Sequence, residues 1–272
     1  MHSLKLLSYN VLADHKGVIE RYKDPLVAWK YRKEKVFSVI KKAKADVFGL
    51  QEFTADNLGQ FSRAFGGDYN IIAYPESHEP YWGIINVLAV SPRITVEEQG
   101  WGKIEDNGTA MKGNNLWSTY VWARVVVGEK RLILICTHLD PTMDQKHKKK
   151  EGAALMGLLK KQFPEQYKDG IILFGDMNTD ILPGRNVDVA GCGKELSKYF
   201  IDAAGHFGNK QPTHANWLGW AQSPQIDHFF VSPGLKPFLK NYSVMNSTYK
   251  RKDGKEQSPS DHFPIQLELG FP

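Results

Sequence analysis

Six short apolar runs along this chain are each bordered by a polar side chain suited to metal or phosphate chemistry. The runs are LKLLSYN, DVFGLQE, RLILICTH, GIILFGDMN, QIDHFFVS and SPSDHFPI. The polar residues are Asn10, Glu52, His138, Asp176, Asn178, Asp227, Asp261 and His262. Runs of this length, rich in β-branched and aromatic residues, predict strands. A rigid sheet edge can hold such groups within hydrogen-bonding reach, so the pattern predicts a catalytic centre at one edge of a sheet.

Helical and strand patterns are mixed along the chain. We predict strands up to Asn10 and over residues 47–50, 84–90, 120–127, 131–136, 171–174, 226–231 and 264–269, and helices over about 29–43 and 149–161. Successive strands without a helix between them argue against a purely parallel sheet, and the helices argue against an all-β sandwich. We therefore predict a layered α/β fold, with two mostly antiparallel sheets packed face to face and helices outside. No repeat or low-complexity linker is present, which predicts one domain over residues 1–272.

Composition excludes several classes of protein. Cys136 and Cys192 are the two cysteines, too few for a disulfide framework and without the paired spacing of a structural zinc site. The N-terminus lacks the apolar core of a secretory signal, and no run approaches the ~20 apolar residues needed to cross a bilayer. We therefore expect an intracellular monomer, cytoplasmic or nuclear, without a transmembrane segment.

The net charge of +5 favours an anionic partner, because basic surfaces attract phosphates. Much of the excess lies in residues 29–45 and 146–161, where lysines often only solvate the outer face of a helix. Lys146 to Lys150 follow His138 closely, so substrate contact is an equal alternative there. We expect a phosphate-containing substrate, with nucleic acid foremost.

The GDMN segment places Asp176 and Asn178 two residues apart at the end of a buried strand. Hydrolysis of a phosphate ester needs an in-line water, a carboxylate to take its proton, and donors for the phosphoryl oxygens. Asp176 is the predicted general base, and Asn178 is the neutral group that orients the reactants.

The remaining polar residues predict a metal site and two phosphate donors. Glu52 is a hard oxygen ligand suited to Mg²⁺, with Mn²⁺ as a substitute. Asn10 would complete or orient this ligand shell, and Asp261 would add a contact. Asp227 is predicted to orient His262 and keep it a donor to phosphate, while His138 donates from the opposite face.

Each residue taken singly also has a structural explanation. Asn10 and Asp227 could be turn residues, Glu52 a helix-capping acid, and His138 a strand-end histidine without a catalytic role. Independent turns would not supply a metal ligand, a base, an amide and two donors, all beside strands. The joint occurrence therefore favours the functional interpretation.

With these motifs in order, SYN, LQE, THLD, GDMN, IDH and SDH, the chain resembles the endonuclease/exonuclease/phosphatase (DNase I-like) superfamily. The resemblance implies a four-layer α/β sandwich and Mg²⁺-dependent phosphoester hydrolysis, with the eight polar residues named above as site residues. SYNVLAD and the tryptophan-arginine helix leading into LQE look most like the nocturnin and Angel deadenylase branch. After GDMN the chain reads TDILPG, where that branch usually has a Ser-Pro-Ser type segment.

Several functions remain open from the sequence. The first is a phosphodiesterase acting on RNA or single-stranded nucleic acid, and the alternatives are a DNA endonuclease or repair enzyme, a phosphatase for an inositol phosphate, nucleotide or lipid head group, and a non-catalytic scaffold. Trp217 and Trp220 precede Asp227, where they would either stack on a base or anchor a loop. The same two alternatives apply to Trp82 and Trp101.

Overall fold

The structure of the protein is a computed structural model, and it describes residues 2–14, 20–75, 83–104, 118–141, 145–165, 170–180, 191–215, 217 and 223–272. The strands are β1 His2–Asn10, β2 Val47–Phe53, β3 Asn70–Ala73, β4 Ile85–Val90, β5 Thr95–Ile104, β6 Ser118–Val127, β7 Lys130–His138, β8 Ile171–Asp176, β9 Ile201–Asp202, β10 Asp227–Val231, β11 Leu239–Val244, β12 Tyr249–Lys250, β13 Glu256–Gln257 and β14 Ile265–Phe271. The helices are α1 Trp29–Ala43, α2 Ala55–Phe65, α3 Gln145–Gln162, α4 Gly191–Leu196 and α5 Ala203–His206, with 3₁₀ turns at Pro25–Val27 and Pro233–Phe238.

The described strands form two six-stranded sheets and one small two-stranded sheet. The first sheet has the order β11-β14-β1-β2-β4-β3, and the second has the order β5-β6-β7-β8-β10-β9. Strands β1 and β2 are parallel, as are β7 and β8, and the other pairs in both sheets are antiparallel. The prediction of two mixed, mostly antiparallel sheets with helices is confirmed.

The sheets pack through their apolar inner faces. Gly49 of β2 lies against the ring of Phe174 in β8, and a Cβ atom at Gly49 would come within 2.1 Å of that ring. The absence of a side chain at Gly49 therefore lets the two sheets approach at this point. Side chains of this core, such as Leu6, Val87 and Leu134, are fully buried, and each contributes about 1.5–3 kcal/mol by leaving water.

The apolar residues of helix α1 recur with a helical period because they form its buried face. Its apolar residues recur at three- and four-residue intervals and bury one face, from Trp29 to Ala43. Lys30, Lys41 and Lys42 are exposed, so these lysines solvate the outer face, as the structural alternative proposed. No helix in the described ranges is long and apolar enough to span a membrane.

Several described elements were not predicted from the sequence: the strands β3, β5, β9, β11, β12 and β13 and the helices α2, α4 and α5. Strand β5 is mostly exposed and β11 lies at a sheet edge, so neither shows a clear alternation of apolar and polar residues. Helix α2 carries its apolar residues, Leu58, Phe61 and Phe65, at helical spacing but is short and follows β2 almost directly. Helix α3 begins earlier than predicted because its first turn is polar.

We expect Gly175→Ala to destabilise the fold by about 2–4 kcal/mol. Gly175 has a φ of +143°, and a Cβ atom there would lie 1.9 Å from the carbonyl oxygen of Thr137 on the neighbouring strand. Urea unfolding measures the change. Gly157→Ala in α3 is the matched control, because no atom lies within 4 Å of its added Cβ and alanine favours a helix. Equal stability of the two variants would contradict the prediction.

Candidate active site

One edge of the sandwich collects the predicted residues because of the strand directions. Parallel strands β1 and β2 end there with Asn10 and Glu52, and parallel strands β7 and β8 end there with His138 and Asp176. Strand β10 runs antiparallel to β8 and therefore begins at the same edge, with Asp227 opposite Asp176. The structure thus brings these strand-end residues together.

Asp176 is the acceptor that the neighbouring groups share. Its Oδ2 atom accepts from Asn10 Nδ2 at 3.0 Å and lies 3.5 Å from His138 Nε2 and 3.6 Å from His262 Nε2. Burial by itself raises the pKa of Asp176, but the His262 and His138 imidazoles and the hydrogen bonds from Asn178 and Asn10 outweigh it and hold that pKa below its usual range. The geometry therefore favours an ionised carboxylate, the form that a general base requires.

Glu52 occupies an unusual backbone conformation next to Asp176. Its φ is +63°, at an irregularity in the pairing of β2 with β4. A non-glycine residue in this region carries strain of order 1–3 kcal/mol. The Oε1 atom accepts from Asn10 Nδ2 at 2.8 Å and Oε2 accepts from Ala13 N at 2.9 Å. The cap of α2 is instead Thr54, so Glu52 is not the helix-capping acid of the structural alternative.

Asn10 makes both of the contacts that were considered for it. Its Oδ1 accepts from the backbone N of Leu12 at 3.0 Å, which is a turn interaction. Its Nδ2 donates to both Glu52 and Asp176, so the amide bridges the two carboxylates. In this arrangement Asn10 orients the carboxylates and does not present its own oxygen between them.

Asn178 is fixed by two hydrogen bonds beside Asp176. Its φ of +46° lies in the left-handed region, which asparagine adopts more readily than most residues. Its backbone N donates to Asp176 Oδ1 at 2.9 Å, and its Nδ2 donates to the carbonyl of Leu139 at 2.8 Å. The side-chain amide is therefore held beside the ends of β7 and β8.

His262 and Asp227 form a buried pair. His262 Nδ1 lies 2.9 Å from Asp227 Oδ2, which leaves Nε2 directed toward Asp176. Burial lowers the pKa of His262, but Asp227 and Asp176 raise it well above the usual range. Asp227 Oδ1 has no hydrogen-bond partner among the described residues. The contact between Nδ1 and Asp227 is the one that the orienting role of Asp227 would require, and that role stays a prediction.

Asp261 has different neighbours from those expected of a metal ligand beside Glu52. It accepts a hydrogen bond from the Tyr22 hydroxyl, and His214 Nε2 lies 4.0 Å from its Oδ2. Ligand-type atoms of His214, Asp261 and His262 all lie within 4.8 Å of one another. The contribution of Asp261 to a metal shell with Glu52 therefore stays a prediction.

Sequence reasoning missed Tyr22 and His214. His214 is buried, and burial together with the His262 imidazole lowers its pKa to about 4, so the ring is neutral at neutral pH. Tyr22 lies in a short helical segment, at residues 20–22, and His214 in an isolated bridge with His262, and neither segment shows an apolar period in the sequence. The available signal was an aromatic or imidazole side chain close in sequence to a predicted site motif.

Arg32 links the segments around this site through hydrogen bonds. The guanidinium is fully buried and donates four hydrogen bonds to backbone carbonyls, those of Val11, Leu12, Val27 and Pro259. Residues 11 and 12 follow Asn10, and residue 259 precedes Asp261 and His262. Arg32 therefore holds the segment after Asn10 and the segment before Asp261 in fixed positions relative to each other.

The tryptophans considered for substrate stacking have separate positions. Trp217 packs edge-on against Tyr22, with ring centroids 5.3 Å apart, and its Nε1 donates to Ser258 Oγ at 2.8 Å. These contacts give Trp217 a structural role beside Tyr22, in line with the second of the two alternatives for it. Trp101 is 40% exposed on β5 and packs edge-on against Tyr74, while Trp82 and Trp220 lie outside the described residues, as does most of TDILPG.

The family model of the endonuclease/exonuclease/phosphatase family matches residues 7–262. The chain belongs to this family. Its members are phosphoesterases that generally use a divalent metal, and the protein is accordingly a phosphoester hydrolase. The predicted family and its DNase I-like fold are therefore confirmed. A comparison with curated proteins finds no match.

Solved structures of the endonuclease/exonuclease/phosphatase family share the fold. The mannosyl-6-phosphatase Bt3783 of Bacteroides thetaiotaomicron is 22% identical with a TM-score of 0.76, over 98% of this chain and 100% of that one. The human nocturnin catalytic domain with bound sulfate is 16% identical with a TM-score of 0.71, over 100% and 94%. TDP2 of D. rerio, in complex with a single-strand DNA product, is 18% identical with a TM-score of 0.69, over 99% of both chains.

His228, which follows Asp227 in the IDH motif, lies behind the site. Its Nδ1 is 3.0 Å from Asp202 Oδ1, and its Nε2 is 2.9 Å from the carbonyl of Thr179 and 3.0 Å from that of Gln225. Acceptors face both ring nitrogens, so the doubly protonated ring satisfies all of them. Burial lowers the pKa of His228, but Asp202 and the Thr179 carbonyl outweigh it and raise that pKa.

We expect His228→Gln to cost about 3–5 kcal/mol of stability at acidic to neutral pH, because it leaves Asp202 without its buried partner. The folded-state pKa lies above the unfolded value of about 6.5, so this contribution is complete below that pH and is lost as the pH rises through the folded-state pKa. Chemical denaturation of both proteins from neutral to alkaline pH measures it. A difference that grows with pH would contradict the assignment.

Proposed function

We propose that the protein is a Mg²⁺-dependent phosphodiesterase that cleaves RNA or single-stranded nucleic acid by in-line attack of water. The proposal depends on one observation: the Asp176 carboxylate lies within reach of an amide and two imidazoles, from Asn10, His138 and His262. A charged oxygen flanked by such donors matches the need for a base beside groups that stabilise a phosphoryl oxygen.

The donors present fit a divalent cation. Ligand-type atoms of Glu52, His138 and Asp176 lie within 4.8 Å of one another, and Asn10 holds the two carboxylates together. Mg²⁺ takes one or two carboxylates together with waters and substrate phosphate, so we assign Glu52 as its carboxylate ligand and keep Asp176 as the base. When bound, the ion supplies positive charge to a non-bridging phosphate oxygen and to the leaving oxygen.

The site residues then have separate roles in the reaction. Asp176 accepts the proton of the attacking water, and the Asn178 amide orients the reactants. His262, oriented by Asp227, donates from Nε2 to a phosphoryl oxygen, and His138 donates from another side. Donors fixed before the reaction stabilise charge in the transition state without reorganising, and the loss of one such donor costs about 10²–10³-fold in rate.

We expect Asp176→Asn and His262→Ala to lower kcat by at least ~10²-fold. Glu52→Gln should instead raise the Mg²⁺ concentration needed for half-maximal rate, because it removes one charge from the ligand set. Initial rates with Mg²⁺, with Mn²⁺ and with chelator measure these effects. Lys42→Ala on the outer face of α1 is the control. Full activity in chelator, or in Asp176→Asn, would refute the proposed chemistry.

Charge supports nucleic acid as the substrate class. The net charge of +5 attracts polyanions, and exposed Lys149 and Lys150 lie near the start of α3, the helix that follows His138. Two proteins of the same fold, nocturnin with sulfate and TDP2 with a single-strand DNA product, were solved with anionic ligands.

A small phosphorylated molecule is the second candidate. A cavity of about 330 Å³ opens beside Tyr22 and Trp217, and its lining includes polar residues such as Gln257 and Arg251. A cavity of this size and polarity suits a sugar or a nucleoside group. The mannosyl-6-phosphatase of the same fold supports this alternative.

A substrate panel separates the two candidates. It contains RNA, single-stranded and duplex DNA, nucleotides, inositol phosphates, mannose 6-phosphate and sphingomyelin, each with Mg²⁺ and with chelator. We expect the highest kcat/KM on RNA or single-stranded DNA, with binding that weakens steeply between low and moderate salt. Turnover of a small phosphate ester with the polymers left intact would select the second candidate.

A further inference from the structure

The run Lys146 to Lys150 does not behave as one basic surface. Lys146, Lys149 and Lys150 are exposed, whereas Lys148 is fully buried. A buried ammonium group is costly unless its protons are bound. The place where Lys148 directs its ammonium therefore indicates what it does.

Lys148 binds backbone carbonyls at the ends of two site strands. Its Nζ donates to the carbonyl oxygen of Asp140, at 2.9 Å, and to that of Asn178. Asp140 follows His138 at the end of β7, and Asn178 follows Asp176 at the end of β8. One ammonium group therefore ties the two segments that carry a predicted donor and the predicted base.

Glu151, one turn further along α3, strengthens the same attachment. Its Oε1 accepts from the backbone N of Asp140 at 3.0 Å and from the Ser118 hydroxyl. His147 Nε2 also lies 3.5 Å from Asp140 Oδ2. Three side chains near the start of α3, those of His147, Lys148 and Glu151, therefore contact the segment after His138.

The hydrogen bond from Lys148 to Asn178 supports an unusual backbone conformation of Asn178. Asn178 has a φ of +46°, and its N and Nδ2 atoms are already bound to Asp176 and Leu139. The hydrogen bond from Lys148 fixes the carbonyl, the remaining backbone group of that residue. Without it, only the hydrogen bonds of N and Nδ2 hold Asn178 in its left-handed conformation, and the side-chain amide is positioned less firmly.

We propose that Lys148 is a positioning residue for the hydrolytic reaction, acting through Asn178 and not through the substrate. The inference rests on the proposed function, in which Asn178 orients the reactants. A displacement of about 1 Å in a reacting group can cost 10²-fold in rate, so a positioning contact has a measurable effect.

A double-mutant cycle of Lys148→Met with Asn178→Ala tests the proposal. We expect Lys148→Met to lower kcat by ~10-fold or more with KM within about twofold, and Lys148→Arg to restore part of the loss. Because both residues act through one amide, the double variant should be no slower than Asn178→Ala alone. Lys161→Met, an exposed lysine in the last turn of the same helix, is the control and should keep wild-type kcat.

The outcomes are distinct. Wild-type kcat in Lys148→Met, or losses that multiply in the double variant, would overturn the positioning role. A rise confined to KM would indicate substrate contact and would also overturn it. Thermal unfolding checks each variant, and if Lys148→Met does not fold, Lys148→Gln, which removes the charge but keeps a polar group at this buried position, replaces it in the cycle under the same criteria. Wild-type activity in Asn178→Ala would also overturn the positioning role, because Lys148 would then have no orienting amide to act through. If the wild type hydrolyses nothing in the panel, the proposed function itself fails.

Discussion

The buried carboxylate of Asp176 is the interaction on which the rest of the site depends. A charged oxygen taken out of water is stable only when donors surround it. Here those donors come from both sheets: Asn10 belongs to the first, His138 to the second, and His262 precedes β14 of the first. The requirement to satisfy one charge therefore couples the two sheets at the edge where chemistry is proposed.

Close approach of backbone makes this convergence possible. Gly49 allows the first sheet to meet Phe174, and Gly175 allows β8 to pass Thr137 without a steric clash. Glu52 and Asn178 adopt left-handed conformations at the ends of their strands. Strain at these two residues is offset by the hydrogen bonds of their side chains, which is the usual arrangement where geometry serves a site.

Much of the fold and of the candidate site could be predicted from the sequence. Buried strands such as β7 and β8 show as continuous apolar runs, and Asp176 is recognisable because it ends one of them. Exposed edge strands such as β5 show no such run, because their side chains face water. The pairing of Asp261 with Tyr22 and His214 joins segments far apart in the sequence, whose relative positions follow from tertiary packing and not from periodicity. Lys148 looks identical to its exposed neighbours until the helix is docked.

Arg32 has a mechanical consequence for the molecule. Its single side chain is shared by carbonyls from three separate segments, at residues 11–12, 27 and 259. If one of these segments shifted alone, a buried N–H group of the guanidinium would lose its acceptor. The segments are therefore constrained to move together. The side of the site that Arg32 supports therefore resists the separate displacement of any one of its segments.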